Sequence, residues 1–267
     1  MELGLSARAR GVRLLALESV DSTNDEARRL IENGERGPLW IVAERQTRGH
    51  GRLGREWISA PGNLHASFVL HDYGESALAP QLGFVAGVAA LRAVRAATGG
   101  AGRFALKWPN DLLVDGGKLG GILLENVGVP TGDARAPRAA AAIIGIGVNC
   151  AEAPRDLPFE ARALASIGPN APDATTLFTH LSDALVEALD LWGGGAGFLR
   201  IRDAWLAGAA YIGDHIRVEL PRETVAGRFE TIDAAGRLVL ETGAGARLIE
   251  AGDVSLGPRQ AAAGVRA

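Results

Sequence analysis

The chain has 267 residues, of which 47% are hydrophobic and 22% charged, and its formal net charge is −3. This composition is typical of a soluble globular protein, and the slightly acidic balance argues against a nucleic-acid-binding domain, which would present a basic face. A single cysteine excludes an intrachain disulfide framework and a cysteine zinc site, and neither a secretory leader nor a membrane span is recognisable. We therefore expect a cytoplasmic protein with no nucleic acid or membrane as a partner.

The first part of the chain alternates predicted strands and helices. An apolar run over 12–17 predicts a strand, and the helix that follows begins with a capping box of Thr23 and Glu26 and ends near Gly34. Three more elements follow from periodicity, namely strands at 39–44 and 63–70 and a helix over 77–99.

The middle of the chain predicts a bend, a hairpin and a central strand. A short strand over 104–108 stops at Pro109, and the next segment turns back on itself at Asp115–Gly117. The small-residue run 141–150 is expected to occupy the centre of the sheet. The other predictions are a surface loop over 129–140, an irregular flap over 151–170, and helices near 175–191 and 197–208.

Short alternating strands separated by turn residues begin at Gly213. Four or five such strands within roughly 45 residues predict a small β-barrel. We therefore divide the chain into a larger domain of residues 1–212, a barrel of residues 213–260 and a frayed tail of residues 261–267.

A loop between Glu44 and Trp57 has a composition suited to binding an anion. Its glycines allow close backbone approach, and guanidinium groups pair bidentately with carboxylate or phosphate oxygens. A solvated surface loop is the alternative, and the run GHGRLGREW is neither a P-loop nor a dinucleotide fingerprint. The arginines of this loop are Arg45, Arg48, Arg52 and Arg55.

A second motif, KWPNDLLVDGGKLGGILLE, spans residues 107–125 and contains both lysines of the chain, Lys107 and Lys118. Every other basic residue is arginine, so either chance or a requirement for a compact ammonium charge placed both lysines here. Asn110 and Asp111 follow the proline bend, and the glycines after Lys118 let a ligand lie against the strand. Taken singly, Asp111 also suits a turn cap and Lys118 an edge charge.

Three smaller features have a structural and a functional interpretation. The residue types of Ser22–Asn24 suit helix capping, and their side chains also suit a polar ligand. Cys150 is expected to be a buried hydrophobe, since no histidine lies near it in sequence. The five histidines lack metal-ligand spacing, and His65 and His71 share a strand face where no metal site is expected.

The order of these motifs resembles the biotin protein ligase family, of the monofunctional type without an N-terminal DNA-binding domain. DSTNDEA, AERQTRGHGRLGREW, KWPNDLLVDGGKLGGILLE and GIGVN occur in that order, and the likeness runs from about residue 13 to 256. The resemblance implies an α+β fold: a mixed central sheet flanked by helices, class II synthetase-like, with a C-terminal SH3-like barrel. It implies that biotin and Mg²⁺·ATP form biotinyl-5′-adenylate, from which biotin passes to a lysine of a biotin carboxyl carrier protein.

The resemblance also assigns residues to roles. The expected catalytic residues are Lys118, which bridges the biotin carboxylate and the adenylate phosphate, Arg52, and Asp111, which orients or deprotonates the incoming lysine. The expected biotin contacts are Ser22, Thr23, Asn24, Gln46, His50, Gly51, Arg52 and Lys118. The expected ATP contacts are Arg52, Arg55, Asn110, Asp111, Lys118 and Asn149; Mg²⁺ is expected to arrive with ATP, and no protein metal site is expected. Trp57 and Trp108 are expected either to build the pocket walls or to pack in the core.

The sequence departs from the family pattern in three places. His50 replaces the first arginine of the family loop, so the charge there depends on pH. The segment LPFEARALAS lacks the Ser or Thr that precedes a leucine in the family, so adenine contacts stay unassigned. About ten residues precede the first strand, which leaves no room for a DNA-binding domain.

Two alternatives remain open from the sequence. One is a lipoate or octanoate ligase of the same fold, and the other is a non-catalytic regulator that binds biotin or its adenylate. Homodimerisation also stays open, as does the acceptor, which is the carrier protein of acetyl-CoA carboxylase or of another biotin-dependent enzyme.

Overall fold

A computed structural model describes residues 1–129 and 139–256. Most of the predicted loop 129–140 and the whole predicted tail 261–267 lie outside the described residues. The helices in the described part are α1 (Leu5–Ala9), α2 (Thr23–Glu32), α3 (Ala79–Ala97), α4 (Ala174–Trp192) and α5 (Phe198–Leu206). One sheet contains β1 (Arg13–Val20), β2 (Leu39–Gln46), β3 (Leu64–His71), β4 (Phe104–Lys107), β5 (Asp111–Val114), β6 (Gly117–Val129) and β7 (Ala139–Val148). A second sheet contains β8 (His215–Glu219), β9 (Thr224–Ile232), β10 (Leu238–Thr242), β11 (Gly245–Ile249) and β12 (Asp253–Leu256).

The larger sheet is mixed, with strand order β1-β2-β3-β7-β6-β5-β4. Strands β1 and β2 are parallel, and the remaining neighbours are antiparallel. The glycine- and alanine-rich β7 lies in the middle, as its small residues predict. The predicted mixed sheet flanked by helices is confirmed.

The two faces of this sheet have different partners. Alternate residues of β3, such as Leu64 and Phe68, enter the main core with α3 and α4, while Val69 packs on the opposite face with Ala27 and Ile31 of α2. Because successive strand side chains point to opposite faces, His65 and Ser67 lie on the α2 face with Val69. That face carries the site described below.

Helix α3 forms the centre of the main core. By length and composition the segment Ser76–Ala97 resembles a membrane span, but 67% of its most apolar window is buried inside the structure. It packs against α4, α5 and the sheet. Because α3 is packed on several sides, it is apolar around most of its circumference.

Local sequence signals placed most boundaries within a few residues. The hairpin turns at Asp115 and Gly116, both with positive φ, as a tight β-turn requires. The capping box was wrong in its first member. Ser22, not Thr23, is the N-cap and accepts a hydrogen bond from the backbone of Asp25 at 3.4 Å, because Thr23 is turned toward Gln46 instead.

The strand predicted over 39–44 extends to Gln46, so the start of the predicted arginine loop belongs to β2. The second sheet has the antiparallel order β11-β10-β9-β8-β12. Its inner side chains, including Ile216 and Phe229, join the same core as the larger sheet. The five strands described after residue 213 agree with the four or five predicted there.

Candidate active site

A cavity of about 620 Å³ lies on the α2 face of the larger sheet, between the arginine loop, the flap after β7 and strand β12 of the second sheet. The residues expected to contact biotin or ATP come from segments far apart in sequence, yet all of them line this cavity. They are Ser22, Thr23, Asn24, Gln46, His50, Gly51, Arg52, Arg55, Asn110, Asp111, Lys118 and Asn149.

The floor of the cavity is a row of residues aligned across four strands. His65 pairs with Gly147, Gly147 with Gly121, and Gly121 with Asp111. The glycines are needed because a Cβ atom on Gly147 would lie 2.6 Å from the Trp57 indole. The floor is therefore flat in the middle and has polar side chains at both of its ends.

Both lysines of the chain meet Asp111. Lys107 Nζ lies 2.8 Å from Asp111 Oδ2, and Lys118 Nζ lies 2.6 Å from Asp111 Oδ1. Burial raises the pKa of Asp111, but the two ammonium groups lower it more, so the pKa lies below its usual range. Asp111 is thus an ionised carboxylate with a cation on each oxygen, and both lysines of the motif are partners of this one side chain.

Arg52 connects the arginine loop to two other segments. Its Nη1 donates to Asn110 Oδ1 at 3.1 Å and to the Gly252 carbonyl at 3.5 Å. Arg55 forms an ion pair with Asp253 at the start of β12, and the hydrogen bond that Arg55 donates to that carboxylate raises the pKa of Arg55. The loop is therefore held over the cavity by the turn after β4 and by the second sheet.

We call Lys107, Lys118, Asp111, Asn110 and Arg52 the charged end of the cavity. The neutral end consists of Ser22, Thr23, Asn24 and Gln46, supported from below by Ser67 and Glu125.

The polar groups of the neutral end hold one another in fixed orientations. Gln46 Nε2 donates to Ser59 Oγ at 3.0 Å, which turns Oε1 toward the backbone N–H of Thr23 at 2.8 Å and its hydroxyl at 3.1 Å. The Thr23 hydroxyl hydrogen is thereby directed to an amide oxygen. What Thr23 offers a ligand is an oxygen lone pair, which suits an N–H donor.

A second chain of hydrogen bonds orients Asn24. Its Nδ2 donates to Glu125 Oε2 at 2.8 Å, so that Oδ1 faces Ser67, whose hydroxyl oxygen lies 2.6 Å away. Arg28 pairs with the other oxygen of Glu125 at 3.1 Å. Gly145 permits this arrangement, since a Cβ atom there would lie 2.4 Å from Asn24 Oδ1.

The structure refines the roles expected for Asn149 and for the two tryptophans. Asn149 is buried and donates from Nδ2 to the Arg162 carbonyl at 3.2 Å, so its side chain anchors the flap as it borders the cavity. Trp108 is only 2% exposed and packs mainly in the core. Trp57 instead covers the glycine floor, with its ring centroid 6.0 Å from Lys118 Nζ.

Sequence reasoning missed four contributors to the site. Ser67 and His65 are polar residues inside an otherwise apolar strand, which is a signal that was present. Glu125 is the last residue of the KWPND motif, and the sequence pattern predicts no role for it. Asp253 lies more than a hundred residues beyond the motifs, and no local pattern connects it to the arginine loop.

Cys150 is buried, and burial raises the pKa of its thiol to about 12, which agrees with the expected small buried hydrophobe. Within residues 1–129 and 139–256, no three His, Cys, Asp or Glu side chains are grouped so that they could hold a metal ion.

Two family models match the chain. Residues 16–149 match the biotin/lipoate A/B protein ligase family, and residues 211–257 match the biotin protein ligase C-terminal domain. The chain is 39% identical to a biotin--[acetyl-CoA-carboxylase] ligase of Paracoccus denitrificans, over 90% of this chain and 99% of the relative.

Solved structures agree with these sequence matches. A biotin protein ligase of Aquifex aeolicus in complex with biotin and ATP superimposes with a TM-score of 0.76 at 29% identity, over 92% of this chain and 98% of the other. A biotin protein ligase of Leishmania major in complex with biotinyl-5-AMP gives a TM-score of 0.63 at 25% identity, over 90% of this chain and 99% of the other.

Proposed function

This chain belongs to the biotin/lipoate A/B protein ligase family, and we propose that the cavity on the α2 face is where it performs the chemistry of that family. The protein is an ATP-dependent biotin ligase, which activates biotin and transfers it to a biotin carboxyl carrier protein. The observation that carries the site proposal is the pairing of both lysines with one buried carboxylate at one end of a cavity whose other end is neutral and polar.

In the first step, an oxygen of the biotin carboxylate attacks the α-phosphorus of ATP and pyrophosphate leaves. Two anions must approach each other, so the site has to supply positive charge to both. Lys118 and Arg52 provide that charge, and Asp111 with Lys107 holds Lys118 in place. Mg²⁺ is expected to bind together with the nucleotide, and the roles proposed for these side chains do not involve the metal.

In the second step, the amine of the carrier lysine attacks the acyl carbon of the adenylate, AMP leaves with the electrons of the broken C–O bond, and the new amide nitrogen releases a proton to solvent. The family resemblance implies that Asp111 either orients or deprotonates that amine. Its lowered pKa makes it a weak base. We therefore assign Asp111 to holding and orienting ammonium groups, while Arg52 and the loop keep water from the adenylate.

The neutral end favours biotin over lipoate or octanoate. The ureido ring of biotin carries two N–H donors, which match the oxygen lone pairs presented by Thr23 and its neighbours. Lipoate and octanoate have no polar group at that end, so they would leave these buried groups unpaired, which is a strongly discriminating penalty.

Several finer statements belong to the same proposal. The antiparallel second sheet supports an SH3-like barrel over residues 213–260, next to a catalytic domain over residues 1–212. A cytoplasmic location, the absence of nucleic acid and membrane partners, and homodimerisation are proposed for test by fractionation, DNA-shift assay and sedimentation.

The experiment that tests the function measures pyrophosphate release with Mg²⁺·ATP and biotin, lipoate or octanoate, each with and without a biotin carrier domain. Of the three acids, we expect only biotin to cause pyrophosphate release. When the carrier is present, we expect biotin to be attached to a single carrier lysine. Release with lipoate or octanoate only would establish the alternative ligase. Binding of biotin without release or transfer would establish the non-catalytic regulator.

A further inference from the structure

His65 is a buried side chain in the cavity wall that the assigned roles do not use. It is 1% exposed, and neither ring nitrogen has a hydrogen-bond partner of ordinary geometry among the described residues. The Ala60 carbonyl is near enough to the ring to oppose the lowering of its pKa, but it forms no hydrogen bond of ordinary geometry with either nitrogen. Buried polar atoms are nearly always paired in native proteins, so two unpaired nitrogens on one ring call for an explanation.

The side chain of His65 does not point into the main core. Its strand neighbours Leu64 and Ala66 point into the main core, whereas His65 lies on the face that carries Ser67. It lines the cavity and is paired across the strands with Gly147, which has no side chain to satisfy it. The imidazole therefore borders open space in which a ligand can lie.

The ring is suited to a neutral partner. Burial lowers the pKa of His65, so at neutral pH the imidazole is uncharged and has one N–H donor and one nitrogen acceptor. A neutral donor–acceptor pair matches a ureido group or another uncharged polar group, and it contributes little to binding a phosphate.

The position along the sheet selects which part of the substrate reaches His65. Ser67 is two residues along the same strand, roughly 7 Å away, and touches both Thr23 and Asn24. Asp111 is three strands away in the same row, or roughly 14 Å. His65 thus belongs with the neutral end of the cavity, away from the phosphate chemistry.

We propose that His65 is a biotin-contacting residue whose imidazole forms a hydrogen bond with the bicyclic head of bound biotin. This inference rests on the proposed function of the cavity. It predicts an unusual combination, in which the side chain weakens the ligand-free protein slightly and strengthens its complex with biotin.

The test compares His65→Leu with a matched control, His71→Leu. His71 lies on the same face of β3, six residues along, and outside the cavity. Thermal unfolding without ligand, the rise in Tm on adding biotin, and the separate KM values for biotin and ATP are measured for both variants and the wild type.

For His65→Leu we expect an unchanged or higher Tm without ligand, because an unpaired polar group is replaced by an apolar one of similar size. The KM for biotin should rise about tenfold and the rise in Tm with biotin should shrink, while kcat and the KM for ATP stay unchanged. His65→Gln, which keeps a donor and an acceptor, should recover part of the biotin affinity. His71→Leu should leave biotin binding unchanged.

Two results would overturn the assignment. Unchanged biotin affinity in His65→Leu would show that the ring does not contact the ligand. A lower Tm without ligand, with both KM values raised alike, would show a structural histidine. If the wild type itself shows no biotin-dependent rise in Tm, the proposed function fails instead, and the two failures are thereby distinguished.

Discussion

The charged and neutral ends of the cavity hold their side chains by different means. At the charged end, Asp111 is fixed by two ammonium groups, and the proposed function assigns one of them, Lys118, to stabilising the negative charge that develops in the reaction. At the neutral end, hydroxyl and amide groups fix each other through directional hydrogen bonds that leave lone pairs for a ligand. If the proposed function is correct, the charged end determines the rate of the reaction and the neutral end determines which acid binds.

The two ends are therefore expected to affect different kinetic constants, kcat at the charged end and the KM for biotin at the neutral end. A substitution at the charged end should lower kcat, because its interactions strengthen in the transition state. A substitution at the neutral end should raise the KM for biotin, because its hydrogen bonds are made equally in the ground and transition states. Four substitutions, taken in order of decreasing effect, test this separation and the ion pairs on which the charged end depends.

Lys118→Met should reduce pyrophosphate release from biotin and ATP by about 100-fold or more, since it removes a charge aimed at both reacting anions. Circular dichroism and Tm should show an intact fold. Lys107→Met removes the other ion pair of Asp111 and should cost less activity, because Lys107 only supports that carboxylate. Equal losses in the two variants, or unchanged release in Lys118→Met, would contradict the role given to Lys118.

Asp111→Asn should lower the free energy of unfolding by about 2 kcal/mol at neutral pH, because two partly buried ammonium groups lose their charged partner. The folded-state pKa of Asp111 is lowered, so its contribution is present above the unfolded value of about 3.9 and is lost as the pH falls through the folded value. Urea unfolding should show a constant difference from wild type between pH 5 and 8 that shrinks below about pH 4. Asp190→Asn, which breaks a well-exposed pair with Arg10, should cost under about 1 kcal/mol.

Arg52→Gly should loosen the loop over the cavity, because it removes the contacts with Asn110 and the Gly252 carbonyl. The activated adenylate should then escape and label lysines other than the carrier lysine several-fold more than in the wild type. Mass spectrometry of a mixture of carrier domain and unrelated protein measures this labelling. Arg48→Gly is the control, since Arg48 pairs with Asp21 outside the cavity; labelling confined to the acceptor in both variants would count against a sealing role.

Ser67→Ala should raise the KM for biotin about fivefold with kcat unchanged, because Asn24 loses the hydroxyl that fixes its Oδ1. Steady-state pyrophosphate release at saturating ATP measures both constants. Ser182→Ala is the matched control, since Ser182 is a buried serine of α4 outside the cavity and its loss should leave both constants unchanged. A fall in kcat with an unchanged KM would erase the distinction between the two ends.

Local sequence patterns were sufficient for most of the fold. The alternation in 63–70 and the helical period in 77–99 come from side-chain geometry within one element, so they are readable without a partner. The N-cap was misassigned because Ser22 and Thr23 are equally suitable capping types, and a hydrogen bond from Thr23 to Gln46, on a neighbouring strand, decided between them.

The candidate site was predictable as a set of residues but not as an arrangement. The family-like motifs named every residue expected to bind biotin or ATP, and these residues share one cavity. The motifs do not include Asp253, which reaches the arginine loop only through the docking of the second sheet. They contain Glu125 but give no sign of its role, because that role depends on the placement of α2 over β6.

The order of the motifs and the closeness of the two lysines are properties of neighbours along the chain, so they can be recognised without a structure. Three other features depend on the fold: both lysines share Asp111, Asn24 is turned by Glu125, and His65 faces the cavity with no hydrogen-bond partner of ordinary geometry. The physical reason is that hydrogen bonds and ion pairs act over a few ångströms. Which groups come within that range is set by strand register and helix packing across long sequence separations.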